Sequence, residues 1–370
     1  MKPLAGIKVV ELARILAGPW CGQLLADLGA EVIKVERPQA GDDTRHWGPP
    51  FVGEGSDRSA AYYHATNRGK TSRSIDIATP DGQAAIRDLV ADADVVIENY
   101  KVGGLAKYGL DHASLAAINP RLVTCSITGF GQSGPYKDRA GYDFIIQAMG
   151  GIMSLTGEPD GSPQKAGVAY ADIFTGVYSA VAILAALHRR SETGKGAHID
   201  MALLDTQVGV LANQAANFFA TGTAPTRMGN GHANLVPYQA FACADGDLVI
   251  AVGNDAQFTR LCVVIARGDL ASDPRFATNA GRVEHRADLI PELAHAIARQ
   301  SKAALYEALE AAGIPAGPIN TVAEVFADPQ VVARGMRIEP EGAAIAGLAS
   351  PIVIDGERMA SESGAPAIED

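Results

Sequence analysis

The stretch "IKVVELARILAGPWCGQLLADLGAEVIKVE", residues 7–36, decides the fold. Its opening "IKVVEL" reads as a buried strand, because it is a short, β-branched apolar run. "GPWCGQLLADLGA" reads as a turn followed by a helix that ends at Gly29, and "EVIKVE" as the next strand. Strand, helix and strand in this order make a βαβ unit. The alternation continues through a strand at "SIDI", a helix at "PDGQAAIRDLVADA", and strands at "DVVIEN" and "LVTCSITGF", to about residue 130. Such alternation predicts an α/β fold with a mainly parallel, doubly wound sheet.

Beyond this sheet, two long segments between Tyr142 and Leu187 look helical, the second starting near Asp172. "GKGAHIDMALLDTQVGVLANQAANFFATG" adds a strand and a helix and leads into the Gly/Thr/Pro-rich "TGTAPTRMGNGHANLVP". The domain boundary is placed there. "YQAFACADGDLVIAVGN" then reads as two strands joined at Asp245-Gly246, followed by Ala-rich helices to about residue 335. The expected organisation is a large Rossmann-like domain over 1–222, a smaller α+β domain over 223–335, and a segment 336–370 that returns to the large domain through the strand-like "GLASPIVIDG".

With 370 residues, of which 47% are hydrophobic and 20% charged, the chain has the composition of a packed globular protein. A net charge of −11 argues against nucleic acid or an anionic membrane as a partner, since both call for a broad basic field. An anionic ligand must therefore be met by local cations. The four cysteines, Cys21, Cys125, Cys243 and Cys262, form no C-x-x-C pair and fit reduced thiols. Lys8, Glu11 and Arg14 make the N-terminus a poor secretory signal. "VYSAVAILAALH" is shorter than the ~20 residues that span a bilayer. A soluble, cytoplasmic protein is expected.

Several chemistries find little support. "ARILAGPWCG" lacks the G-x-G-x-x-G spacing of a dinucleotide site, although Glu36 is placed like a ribose-binding acid. No two of the eight histidines have zinc-ligand spacing, and there is no G-x-S-x-G nucleophile elbow. Metal-free chemistry without a permanently bound cofactor is expected.

One acid stands out. "KAGVAYADIFTG", residues 165–176, leaves Asp172 among small and apolar neighbours before a long apolar run. One reading is a helix N-cap, accepting backbone N–H bonds. The other is a nucleophile: such a carboxylate is expected to stay ionised at neutral pH, and Ala169, Ala171 and Gly176 leave room for a substrate. A basic set, Arg37, Lys70, Asn99, Tyr100, Lys101 and Lys107, falls at or near predicted strand ends. Ligands of open α/β sheets collect there, so a phosphate-rich ligand is indicated over an ordinary solvated surface. "RMGNGHANLVPYQAF" is either a linker or a glycine-hinged lid with His232 or Asn234 at its tip.

Taken together, "GIKVVELARILAGPWCGQLLADLGAEVIKVERPQAGDDTR", "NRGKTSRSIDI", "VVIENYKVGGLAKYGL", "CSITGFGQSGPYKDRAGYDF" and "AYADIFTG" resemble the class III CoA-transferases of the CaiB/BaiF type over nearly the whole chain. The resemblance implies an interlocked homodimer that takes coenzyme A and acyl-CoA as substrates together with a carboxylic acid. It places the family's catalytic aspartate on Asp172, which would form an aspartyl-acyl anhydride and then an aspartyl-CoA thioester. It assigns the CoA nucleotide to Arg37, Lys70, Asn99, Tyr100 and Lys107, the pantetheine or active centre to Ile15, Leu16 and Ala17, and a lid to Gly229, Gly231 and His232. This sequence lacks the run of consecutive glycines of formyl-CoA transferases.

The finer resemblance, through "GDDTRHWGPPFV" and "VPYQAF", is to the succinyl-CoA:glutarate or hydroxymethylglutarate type. Arg45 and Arg139 are then candidates for the far carboxylate of a dicarboxylic acid. Two alternatives stay open, a 2-methylacyl-CoA racemase and a non-catalytic CoA-binding protein. The racemase pattern has a histidine where this chain has Tyr142, a far weaker base at neutral pH.

Overall fold

The computed structural model describes residues 2–55 and 58–369. The chain divides into two compact units, one of residues 1–153, 165–222 and 328–370, the other of residues 154–164 and 223–327. This differs from the expected segmentation in two places: 154–164 joins the second unit, and the return to the first begins at Asp328, not after 335.

The first unit is built on six parallel strands, β1 (Lys8–Glu11), β2 (Glu31–Glu36), β3 (Lys70–Ser74), β4 (Val95–Glu98), β5 (Val123–Thr128) and β6 (Ala197–Ala202). Their order is β3-β2-β1-β4-β5-β6, with Val9 of β1 paired to Val32 on one side and Val95 on the other. The central strands are buried on both faces, which is why "KVVE" and "VVIE" are nearly continuous apolar runs. Val9, Val95, Ile97, Val123 and Cys125 pack with Cys21, Leu25 and Ile183 on one face. Val10 and Val96 pack with Ile86, Val90 and Leu115 on the other.

The covering helices of the first face are α1 (Ala17–Asp27) and α5 (Tyr170–Thr193). On the opposite face lie α2 (Pro80–Ala91) and α3 (His112–Ile118). Thr79 caps α2, accepting the Gly82 N–H at 3.0 Å, and Pro80 occupies the first helical position, where no N–H is needed. Helix α5 is twice as long as its apolar run suggests. It alone among the described helices is long and apolar enough to cross a membrane, yet Ala171, Ala180 and Ile183 belong to the core of the first unit.

Three expectations need correction. The third strand is "KTSRS", not "SIDI", so Lys70 begins a strand. The helical segment after Tyr142 is short: α4 (Asp143–Met149) and a single turn at Ile152–Leu155 precede a loop that runs to α5. The segment after β6 forms two helices, α6 (Leu203–Gly209) and α7 (Ala212–Thr221). The C-terminal segment packs on the first unit: the Ser361 N–H donates to Asp27 at 2.7 Å, and Arg68 donates to the Leu348 carbonyl at 2.6 Å.

The second unit holds an antiparallel sheet, β7 (Tyr238–Cys243), β8 (Gly246–Ala251) and β9 (Ala316–Pro318), with β8 in the middle. Helices α8 (Asp255–Val264), α9 (Arg286–Ile297) and α10 (Lys302–Ala311) supply Phe258, Leu261, Leu289, Leu293, Leu305 and Leu309 to a core shared with Phe241, Leu248 and Ile250.

Candidate active site

In the first sheet the strand order reverses between β1 and β4, and loops at that point diverge to leave a crevice at the carboxyl ends of the strands. The loop after β1 is held open by side chains from three directions. Asn99, just after β4, accepts the Arg14 N–H at 3.1 Å and donates to the Arg14 carbonyl at 2.7 Å. Asp42 accepts the Ile15 N–H at 3.2 Å. Lys34 donates to the Ala13 carbonyl at 3.0 Å and pairs with Asp42 at 2.8 Å. Together these bonds keep Ile15 at φ +74°, a left-handed conformation that a β-branched residue adopts only under constraint.

A cavity of about 600 Å³ opens here, lined by the loops after β1 to β5 and by the start of α5. It brings together Ile15, Leu16, Ala17, Arg37, Asn99, Tyr100, Lys107, Arg139, Tyr142 and Asp172, all expected from the sequence. Arg14 and Lys137, which the sequence reading did not single out, line it as well, as does Lys101. Asp43 serves two of the cations at once, bonding Arg14 at 2.7 Å and Arg37 at 2.8 Å. Among the described residues no carboxylate pairs with Lys101, Lys107, Lys137 or Arg139. The Arg139 guanidinium stacks 3.8 Å from the centre of the Tyr136 ring, and the Lys107 ammonium lies 4.6 Å from that of Tyr108. An acidic protein thus gathers its cations around this cavity. Burial pushes the Tyr100 phenol up, so it stays a neutral hydrogen-bonding group.

Two expected cations are placed elsewhere. Lys70 is buried, and its ammonium donates to Glu11, the Pro19 carbonyl and Asn67, each at 2.9 Å. Arg45 is buried against Glu36 through two bonds of 2.8 and 2.6 Å and also donates to Tyr63. Both belong to a buried ionic network built on β1, β2 and β3, in which Glu11, Lys34, Glu36, Asp42, Arg45 and Lys70 each have a partner of opposite charge, as burial demands. Neither is available to a phosphate or a substrate carboxylate. Gly229, Gly231 and His232 lie in the second unit, where the loop is tied locally: the Gly229 N–H donates to the Gly157 carbonyl at 3.0 Å, and His232 Nδ1 accepts the Asn234 N–H at 3.0 Å.

Asp172 sits in the first turn of α5 but does not cap it. The residue at the cap position is Ala169, with no side-chain bond, and the capping carboxylate comes from α4: Asp143 Oδ1 accepts the Ala171 N–H at 2.8 Å and the Asp172 N–H at 3.4 Å. Burial, reinforced by the charge of Asp143, pushes the Asp172 carboxyl up to about 7. The expectation from the sequence is a carboxylate kept ionised by helix amides; those amides bond Asp143 instead, and burial with the neighbouring charge acts the other way. One helical turn on, Gly176 lets α5 lie against the start of α1, since a Cβ there would come within 2.7 Å of the Ala17 carbonyl oxygen. The start of α5 and the start of α1 thus meet at the cavity, which Asp172, Leu16 and Ala17 all line.

The sequence reading passed over Asp143, Gln147 and Tyr62. Tyr62 is pushed up to about 12 by burial and by the charges of Asp172 and Asp143, which makes it a neutral neighbour of both acids. The only trace of Asp143 in the sequence is an acid at the first position of a predicted helix, a common pattern with many uses.

The family model of CoA-transferase family III matches residues 4–370. A succinate–glutarate CoA-transferase of Agrobacterium fabrum is 56% identical over 98% of this chain and 92% of its own length. A human succinyl-CoA:glutarate CoA-transferase is 43% identical over 95% of this chain and 79% of its own. A crystal structure of a CAIB/BAIF family protein from Brucella suis superposes with a TM-score of 0.89, at 59% identity, covering 99% of this chain and 96% of that one. With a full-length family match and relatives this similar, the chain belongs to the family III CoA-transferases, enzymes that move coenzyme A between carboxylic acids.

Proposed function

We propose that this enzyme transfers CoA between dicarboxylic acids, with succinyl-CoA as donor and a glutarate-like acid as acceptor, through covalent intermediates on Asp172. The observation that carries the mechanism is the position of Asp172: a partly buried carboxyl at the wall of a cation-lined cavity, with none of its own helix amides engaged. The substrate class rests on the relatives that act on succinate and glutarate.

The steps balance without any proton transfer. An Asp172 oxygen attacks the thioester carbonyl of the acyl-CoA, and collapse expels the CoA thiolate, leaving an aspartyl-acyl anhydride. The thiolate attacks the aspartyl carbonyl, which releases the donor acid as a carboxylate and leaves an aspartyl-CoA thioester. An acceptor carboxylate attacks that thioester, and the thiolate returns to the acceptor carbonyl, which restores the Asp172 carboxylate. Every nucleophile is an anion and every leaving group departs as one, so no general base is called for. No histidine lines the described cavity. The demands on the protein are an ionised Asp172 at the moment of attack and the exclusion of water from anhydride and thioester.

Arg37, Lys107, Lys101 and Tyr100 suit the phosphates and adenine of CoA, Arg37 with a planar fork and the lysines as compact charges. Arg139, free of any described carboxylate, suits the far carboxylate of a dicarboxylic acid. A homodimer is the proposed assembly, supported by exposed apolar side chains on α4, α5 and α7, Phe144, Met149, Val181 and Phe219, the last exposed at 81%, of the kind a second copy would cover. Light scattering at micromolar protein tests this, and a monomer overturns it.

A racemase reading is not favoured, because Tyr142 takes the place of the base and the relatives of high identity transfer CoA. The decisive experiment incubates the protein with succinyl-CoA and a panel of mono- and dicarboxylic acids, with mass spectrometry of new CoA esters. Glutaryl-CoA or a homologous ester is expected; formation of none, or only of monocarboxylate esters, overturns the reading.

A further inference from the structure

The first turn of α5 is set by a buried relay from α4. Gln147 is fully buried, and its amide faces two ways. Nε2 donates to Asp143 Oδ2 at 2.7 Å, while Oε1 accepts the Ala166 N–H at 2.9 Å from the segment that enters α5. Asp143 in turn accepts the Ala171 and Asp172 N–H groups on its other oxygen. Three N–H donors converge on its two oxygens, so both are engaged as acceptors. The relay fixes the direction of the α5 start, and it stations a negative charge next to the reacting carboxyl.

We propose that Asp143 and Gln147 are a positioning pair whose fixed charge disfavours the carboxylate of Asp172 relative to its neutral acylated forms. This rests on the covalent reading above. Asp172 loses its charge on becoming an anhydride or a thioester, so a like charge alongside is relieved by acylation and restored when the enzyme is released. Gln147 matters because it prevents Asp143 from turning away from that charge. The other titratable group coupled to Asp172 is Tyr62, from the short helix at Ala61–His64, while Arg14, Lys137, Arg139 and Tyr142 line the same cavity.

The test uses the full-length enzyme with succinyl-CoA and follows the covalent adduct by intact-protein mass across pH 5.5 to 8.5, beside steady-state kinetics. In Asp143→Asn the amide oxygen can still accept from the two backbone N–H groups while the charge is gone. The rate of adduct formation at pH 6, relative to that at pH 8, is expected to rise at least threefold over the native ratio, and the fraction of enzyme held as adduct at equilibrium to fall. Gln147→Leu is expected to lower kcat at least tenfold with KM for succinyl-CoA changed less than threefold. If the native enzyme forms no adduct, the covalent reading fails and takes this proposal with it. If the native adduct forms but Asp143→Asn leaves the pH ratio unchanged, the proposal alone is overturned. Loss of thermal stability with an unaltered pH ratio and an unaltered balance of kcat and KM in both variants assigns the pair a purely structural role and also overturns it.

Discussion

Replacing Asp172 with asparagine should abolish transfer and, at the same time, make the protein more stable in a pH-dependent way. In the folded protein the carboxyl is raised from 3.8 to about 7. Between those values the folded state binds a proton that the unfolded state has lost, so native stability falls as pH rises through this window and levels off above it. Working the two titrations through, the carboxyl costs the fold about 2 to 3 kcal/mol more at pH 8 than at pH 5. Asparagine has no charge to bury and escapes this cost. Urea unfolding of native and Asp172→Asn protein at both pH values isolates the effect, because every other group titrates alike in the two proteins. The stability gap in favour of the variant is expected to widen from pH 5 to pH 8 by roughly that amount. A gap that stays constant, or narrows, refutes the placement of Asp172 in a poorly solvated site beside a like charge.

Other substitutions separate the roles of the remaining residues. Lys70→Met strips a partner from buried Glu11 and should cost on the order of 3 to 5 kcal/mol in stability, with KM for the CoA ester unchanged in whatever protein folds. Lys107→Ala should raise that KM about tenfold while kcat stays within twofold, as expected for a contact made equally to substrate and transition state. Arg139→Gln should raise KM for a dicarboxylate acceptor about tenfold more than for a monocarboxylate of equal length, as follows from losing a charge-assisted contact. Gly176→Ala pushes a methyl toward the Ala17 carbonyl and Trp20, and should cost about 1 to 3 kcal/mol and lower kcat as α5 shifts, read by thermal denaturation and steady-state assay.

The sheet is legible where both faces of a strand are apolar. "KVVE" and "VVIE" announce themselves, and the helix between β1 and β2 ends at Asp27, just ahead of Gly29, where the chain turns at φ +103°. The strand "KTSRS" hides because Lys70 and Ser72 point inward to acids on neighbouring strands, so its inward face is polar and mimics a loop. The same network accounts for Arg45: a guanidinium in a glycine-rich loop looks available until Glu36, nine residues away, is seen to hold it. Asp172 is legible as an acid in an unusual setting. What raises its carboxyl is first burial and then the charge of a residue 29 positions earlier on another helix, and no local pattern encodes either.

Ile15 sits at a point where glycine would adopt the left-handed backbone without strain. A branched hydrocarbon there is kept at a cost of about 1 kcal/mol or more. What this secures is a waxy patch on the wall of the cavity that Asp172 also lines, in a place where glycine would present bare backbone. An activated acyl group resting on it would meet oil in place of a competing hydroxylic attacker, so the contortion of one residue protects the commitment of the thioester to transfer over waste.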